Sequence, residues 1–136
     1  KEALREIEEF LRLELADKPG MDKKTILELE ERFHRGIECM GNEDWDAAIE
    51  EFTYVTRIDP TSEQAYSNLG TIYLLKGELE AAEKHLKQSL EINPRYKPAL
   101  VNYRALKKLK GEPEGAQGYL AKVRDTVRAG MFKRWT

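Results

Sequence analysis

Apolar residues along this chain recur at steps of three and four, with charged residues between them. Leu4, Ile7, Leu11 and Leu15 form one stripe near the start, with Ala3 and Phe10 beside it. Glu2, Glu6, Glu8, Glu9 and Glu14 make the other faces of that segment acidic. Tyr66, Leu69 and Tyr73 form a second stripe, and Ala82, Leu86 and Leu90, with Ser89, a third. Ala116, Leu120, Val123 and Val127 form a fourth, which runs to about Ala129 before Gly130. Such spacing places each set on one face of a helix. No run alternates strictly at two residues, so no sheet is expected and the chain reads as all-α. The punctuation agrees. Pro19-Gly20 breaks the first helix, and Asp22 can cap the next. Thr61 or Ser62 can cap a helix from Glu63, and Gly77 can stop it. Asn93-Pro94 ends the helix that follows, because proline disfavours helical backbone in the residue before it.

The pattern also repeats with a period of 34 residues. Gly36 recurs as Gly70, Ala48 as Ala82 and Pro60 as Pro94. The neighbours follow: Ala47 and Ala81, Phe52 and Leu86, Ile58-Asp59 and Ile92-Asn93. A helical hairpin of this length cannot bury its apolar face alone, whereas stacked hairpins can, and the stack leaves a concave surface. Gly70 falls in mid-helix, where glycine costs about 1 kcal/mol relative to alanine. Its recurrence predicts close approach of a partner helix, aided by the small Ala81 and Ala82.

Tyr66, Leu69-Gly70, Tyr73, Ala82, Leu86 and Pro94 follow the order aromatic, Leu-Gly, Tyr, Ala, aromatic, Pro, with Leu86 in the second aromatic place. In these residues the chain resembles the tetratricopeptide repeat family. An earlier copy, 29–62, keeps Gly36, Trp45, Ala48, Phe52 and Pro60, but has Arg32, Arg35 and Cys39 where an aromatic, a Leu and a Tyr are usual. A third copy, from Lys97, keeps Ala99, Leu100, Gly111, Ala116 and Leu120. It has Arg104 in place of the mid-helix Gly and Arg128 in place of the closing Pro. Departures of this kind fit terminal repeats, which cap a stack. The resemblance covers about Leu29 to Arg128. It implies a right-handed superhelical solenoid of antiparallel helix pairs, with about three repeats and an extra N-terminal helix. The expected division is an amphipathic helix and linker at 1–22, a solenoid at 23–129 with repeats at 29–62, 63–96 and 97–129, and a short basic and aromatic tail at 130–136.

The first helix does not fit the second half of a preceding repeat: a shift of 34 sets Glu14 against Ala48 and Ile26 against Pro60. Its apolar stripe is expected to cap the exposed side of the first repeat. The alternatives are a fold into the concave groove, or pairing with another molecule or an upstream domain. At the other end, Phe132 and Trp135 are expected to pack back onto the last helix, with a membrane-surface or partner contact as the alternative.

Composition narrows the picture. At 136 residues the chain is one domain, and its 35% of charged residues suits the large surface of a solenoid. No apolar stretch approaches the roughly 18 residues needed to span a bilayer, and no signal-peptide pattern opens the chain. The chain begins at Lys1, so a part upstream is expected to have been cut away. The single cysteine excludes an internal disulfide and favours a reducing, cytoplasmic setting. The halves differ in charge: residues 1–68 hold nine Lys and Arg against 18 Asp and Glu, and residues 69–136 hold 14 against seven. This is either the ordinary drift of charge along helix surfaces or an acidic end and a basic end able to stack head-to-tail as a homo-oligomer. Neither nucleic acid nor a membrane is expected as a partner. The basic residues lack aromatic interleaving before Phe132 and Trp135.

In the tetratricopeptide family the first helix of each pair lines the concave face. On that basis the candidate partner-binding residues are Phe33, His34 and Ile37 from the first repeat, and Ser67, Asn68, Thr71, Leu74 and Leu75 from the second. Val101, Asn102, Ala105 and Lys108 come from the third. Asn68 and Asn102 lie one repeat apart, and an amide can both donate to and accept from a peptide backbone. They are otherwise solvated polar positions. Phe33, Ile37, Leu74, Leu75 and Val101 can take apolar side chains of a ligand or pack between repeats. One subgroup of the family grips acidic chaperone tails with Lys, Asn, Asn, Lys and Arg. Here Phe33, Ile37, Asn68, Pro98 and Asn102 stand in those places, so one of five matches and binding of that tail type is not expected.

No catalytic residues, metal or cofactor are expected. His34 and His85 fall on different repeats, and His34 and Cys39 lie on different faces of one helix. Cys-x-x-Cys, His-Glu-x-x-His and glycine-rich phosphate loops are absent. Cys39 takes a buried aromatic's place and reads as packing. The leading expectation is a non-catalytic protein-interaction module of the adaptor, assembly-factor or co-chaperone type, holding a partner peptide or helix in its groove. The alternatives are a self-assembling scaffold and a domain of a larger protein.

Overall fold

The computed structural model describes residues 2–17, 20–111 and 117–129. Seven helices order them: α1 Glu2–Asp17, α2 Lys23–Gly41, α3 Trp45–Ile58, α4 Glu63–Lys76, α5 Leu79–Ile92, α6 Lys97–Gly111 and α7 Gln117–Arg128. No strand occurs among the described residues, as the spacing of apolar positions predicts.

Local chemistry sets the helix ends. The Asp22 carboxylate accepts the Thr25 N–H at 2.8 Å and starts α2. Ser62, rather than Thr61, caps α4 by accepting the Ala65 N–H at 3.3 Å. Gly77 ends α4 at φ 81°, a left-handed conformation that glycine adopts without a Cβ penalty. Asp59 and Asn93, one period apart, close their helices alike. Each backbone N–H donates four residues back, to Val55 O at 2.8 Å and Ser89 O at 2.9 Å. Each side-chain Oδ1 accepts from two residues ahead, at 3.1 Å from the N–H of Thr61 and of Arg95.

The short connections make α2–α3 and α4–α5 antiparallel hairpins, and each pair packs tightly. The repeated glycine has a geometric cause. A Cβ on Gly36 would lie 2.6 Å from the Phe52 ring, and one on Gly70 would lie 2.6 Å from Leu86. Phe33 meets Phe52 edge-on, with ring centroids 5.3 Å apart. Arg32, which stands where an aromatic is usual, keeps its charge at the surface: it lies 4.4 Å over the Tyr54 ring and 3.5 Å from Glu51. The hairpins stack through α3 on α4 and α5 on α6, and α4 also packs on α6. The first helices α2, α4 and α6 thus form an inner layer backed by α3 and α5, a stacked helical solenoid. At one end α1 packs against α2 and buries Leu11, leaving Ile7 and Leu13 exposed.

The repeat register assigns α7 to the second half of a third pair. Its observed packing differs: α7 lies against α2, α4 and α6, across the inner layer. Arg104 supplies the physical reason. It occupies the position of Gly36 and Gly70, so α6 presents a side chain where α2 and α4 present bare backbone. A second helix cannot approach α6 as closely as α5 approaches α4. Ala116 and the tail 130–136, with the packing expected of Phe132 and Trp135, lie outside the described residues.

A candidate partner-binding groove covered by the last helix

The inner faces of α2, α4 and α6 carry the candidate residues, and α7 packs against all three helices. Phe33, Ile37, Ser67, Asn68, Thr71, Leu74, Asn102 and Ala105 are buried. Leu75 is half-buried, while His34 and Lys108 are exposed. Val101 stands apart at 57% exposed. His34 Nε2 lies 3.4 Å from Glu30 Oε1, one turn away on α2.

α7 presents an apolar edge to this surface. Val127 joins the cluster of Phe33, Ile37, Met40 and Leu69. Val123 joins the cluster of Leu74, Ala105 and Leu106, with Leu120 partly buried against it. Beyond the apolar edge, the Arg128 guanidinium donates to Glu43 Oε1 at 2.9 Å, in the turn after α2. Glu43 itself sits at φ 60°, an uncommon conformation for a non-glycine residue.

The two asparagines differ in their partners. Asn102 Nδ2 donates to Thr71 Oγ1 at 2.5 Å, and Thr71 Oγ1 donates to Ser67 O at 2.9 Å. This relay joins α6 to α4. Asn68 is the equivalent of Asn102 one period earlier, but the equivalent of Thr71 is Ile37, which has no acceptor. Asn68 Nδ2 is buried with no hydrogen-bond partner, and so is Ser67 Oγ. Neither asparagine is a solvated surface position.

Outside the groove, Lys110 and Lys87 donate to the Glu83 carboxylate and hold its pKa down at about 2, which ties α6 to α5. His85 is half-buried; burial lowers its pKa, and the ring stacks on Tyr73 at 5.2 Å. Burial and the carboxylates of Asp44, Glu51 and Glu38 push the Cys39 thiol up, which disfavours the reactive thiolate. Among the described residues no three His, Cys, Asp or Glu gather as a metal site, and no helix is long and apolar enough to cross a membrane.

The sequence reading missed the occupant of the groove. Val123, Val127, Glu43 and Arg128 hold α7 on the inner layer, and the available signal was Arg104, which stands where the first helices of the other pairs have glycine. The family model described as "Tetratricopeptide repeat" matches residues 63–96, the span of α4 and α5. Residues 63–96 thus form a tetratricopeptide repeat. Repeats of this kind build surfaces for protein–protein interaction. The chain is also similar to Protein bimA of Emericella nidulans, 33% identical over 60 residues. That match covers 44% of this chain and 7% of the relative's length. No solved structure matches the chain significantly.

Proposed function

We propose that this protein is a non-catalytic interaction module whose inner groove binds an amphipathic helical segment of a partner protein. The observation that supports this reading is α7 itself. A helix with an apolar stripe at Leu120, Val123 and Val127 fits across α2, α4 and α6, and its basic end meets Glu43. A partner helix with the same spacing meets the same floor, which is the helix-in-groove mode of recognition. Aliphatic and aromatic side chains supply the contact area, and the absence of the five-residue cationic clamp leaves acidic chain-end tails without a seat.

The test uses the full chain carrying Val123→Asp and Val127→Asp, changes that place carboxylates against an apolar floor and expel α7. A labelled peptide of residues 117–129 with the native sequence is titrated into it and followed by fluorescence anisotropy. Binding tighter than about 1 mM is expected, with weaker binding to the unsubstituted chain, whose groove is covered. An opened chain that ignores the peptide overturns the reading.

A further inference from the structure

Two polar atoms of α4, a helix on which α7 packs, have no hydrogen-bond partner. Asn68 Nδ2 and Ser67 Oγ are fully buried and unpaired, on adjacent residues of α4, the central helix beneath α7. Native interiors pair nearly all such groups, and an orphaned buried donor carries a desolvation cost. The next repeat shows the paired alternative, where Asn102 donates to Thr71. The orphan in the second repeat arises because Ile37 replaces the acceptor. The α7 residues that reach the inner core, Val123 and Val127, have no side-chain acceptor to offer. α7 therefore matches the apolar part of the floor and leaves the polar part unanswered.

Resting on the groove-binding reading above, we infer that the preferred ligand is an amphipathic helix carrying one neutral hydrogen-bond acceptor, a Gln, Asn, Ser or Thr side chain, among its apolar contacts. That acceptor takes a hydrogen bond donated by Asn68 Nδ2, and the ligand displaces α7, which becomes the resident competitor. A neutral acceptor is specified because the buried candidate residues, Phe33, Ile37, Leu74 and Ala105 among them, include no cation to pair with a buried carboxylate. Asn68 is then the position that reads the ligand, while the flanking apolar residues provide area without discrimination.

The experiment compares five peptides of residues 117–129: the native sequence, and single glutamine replacements at Leu120, Val123, Arg124 and Val127. Each is titrated into the full-length Val123→Asp/Val127→Asp chain, with and without Asn68→Leu. At least one glutamine peptide is expected to bind about tenfold tighter than the native one, the scale of satisfying one buried donor. Asn68→Leu, which removes that donor, is expected to erase the advantage and to favour the native peptide. Where Asn68→Leu does not fold, Asn68→Ala makes the same comparison. If the native peptide binds at least as tightly as every glutamine peptide, or the advantage survives loss of Asn68, the inference is overturned while the groove reading stands. If the opened chain binds none of the five, the groove reading falls and the inference with it.

Discussion

The second and third repeats begin with the same kind of helix and end differently. In the second, Gly70 leaves bare backbone, Leu86 fills the space, and α5 closes onto α4. In the third, Arg104 stands at the same position and α7 crosses to the inner layer instead. The closed hairpin has glycine at the contact point, and the pair whose second helix packs elsewhere has arginine there. A period in a sequence marks where a repeat has residues of the right kind. Whether the hairpin closes depends on the few positions where backbones must touch.

Three measurements bear on that contrast. The largest expected effect comes from truncating the equivalent leucines. Leu86→Ala empties a fully enclosed site and should cost about 2–5 kcal/mol in chemical denaturation. Leu120→Ala removes a half-exposed side chain and should cost about 1 kcal/mol. Equal losses would mean that α7 closes a third pair after all. Next is the contact position itself. Gly70→Ala should destabilise by about 1–3 kcal/mol through the clash with Leu86, even though alanine is the better helix former. Arg104→Ala, on an exposed face, should stay within about 0.5 kcal/mol. The smallest effect concerns the tie that the third repeat retains. Glu83 has its pKa lowered from 4.5 to about 2 by Lys110 and Lys87. A depressed carboxyl pKa stabilises the fold above the unfolded value and loses that contribution as pH falls through the folded one. The melting-temperature gap between the native chain and Glu83→Gln should therefore be steady above pH 4.5 and close as pH falls toward 2. A gap that widens on acidification would show that the α5–α6 tie is not ionic.

Much of the fold was legible because it is written in local rules. Asp22, Ser62, Gly77 and Pro94 mark helix ends through backbone chemistry that acts within a few residues. Gly36 and Gly70 announce the close hairpins because glycine in mid-helix is otherwise unfavourable. The groove residues could be read from their register, but their environment could not. Phe33, Asn68 and Thr71 are buried among packed helices, and α7 lies across the inner layer although periodicity assigns it elsewhere. Asn68 and Asn102 look equivalent in the repeat. Their difference lies in a second residue, Ile37 against Thr71, and appears only when partners are paired across helices.

Five residues, 112–116, separate α6 from α7 along the chain. If a partner helix competes for this groove as proposed, its binding has a concentration threshold. Short tethers hold a segment at an effective concentration near millimolar, and dilution does not change it. A groove open only about 1% of the time makes a partner with an intrinsic Kd of about 1 µM behave as one of about 100 µM. Under that proposal, exchange at the groove depends on how abundant the partner becomes, and a brief encounter leaves α7 in place.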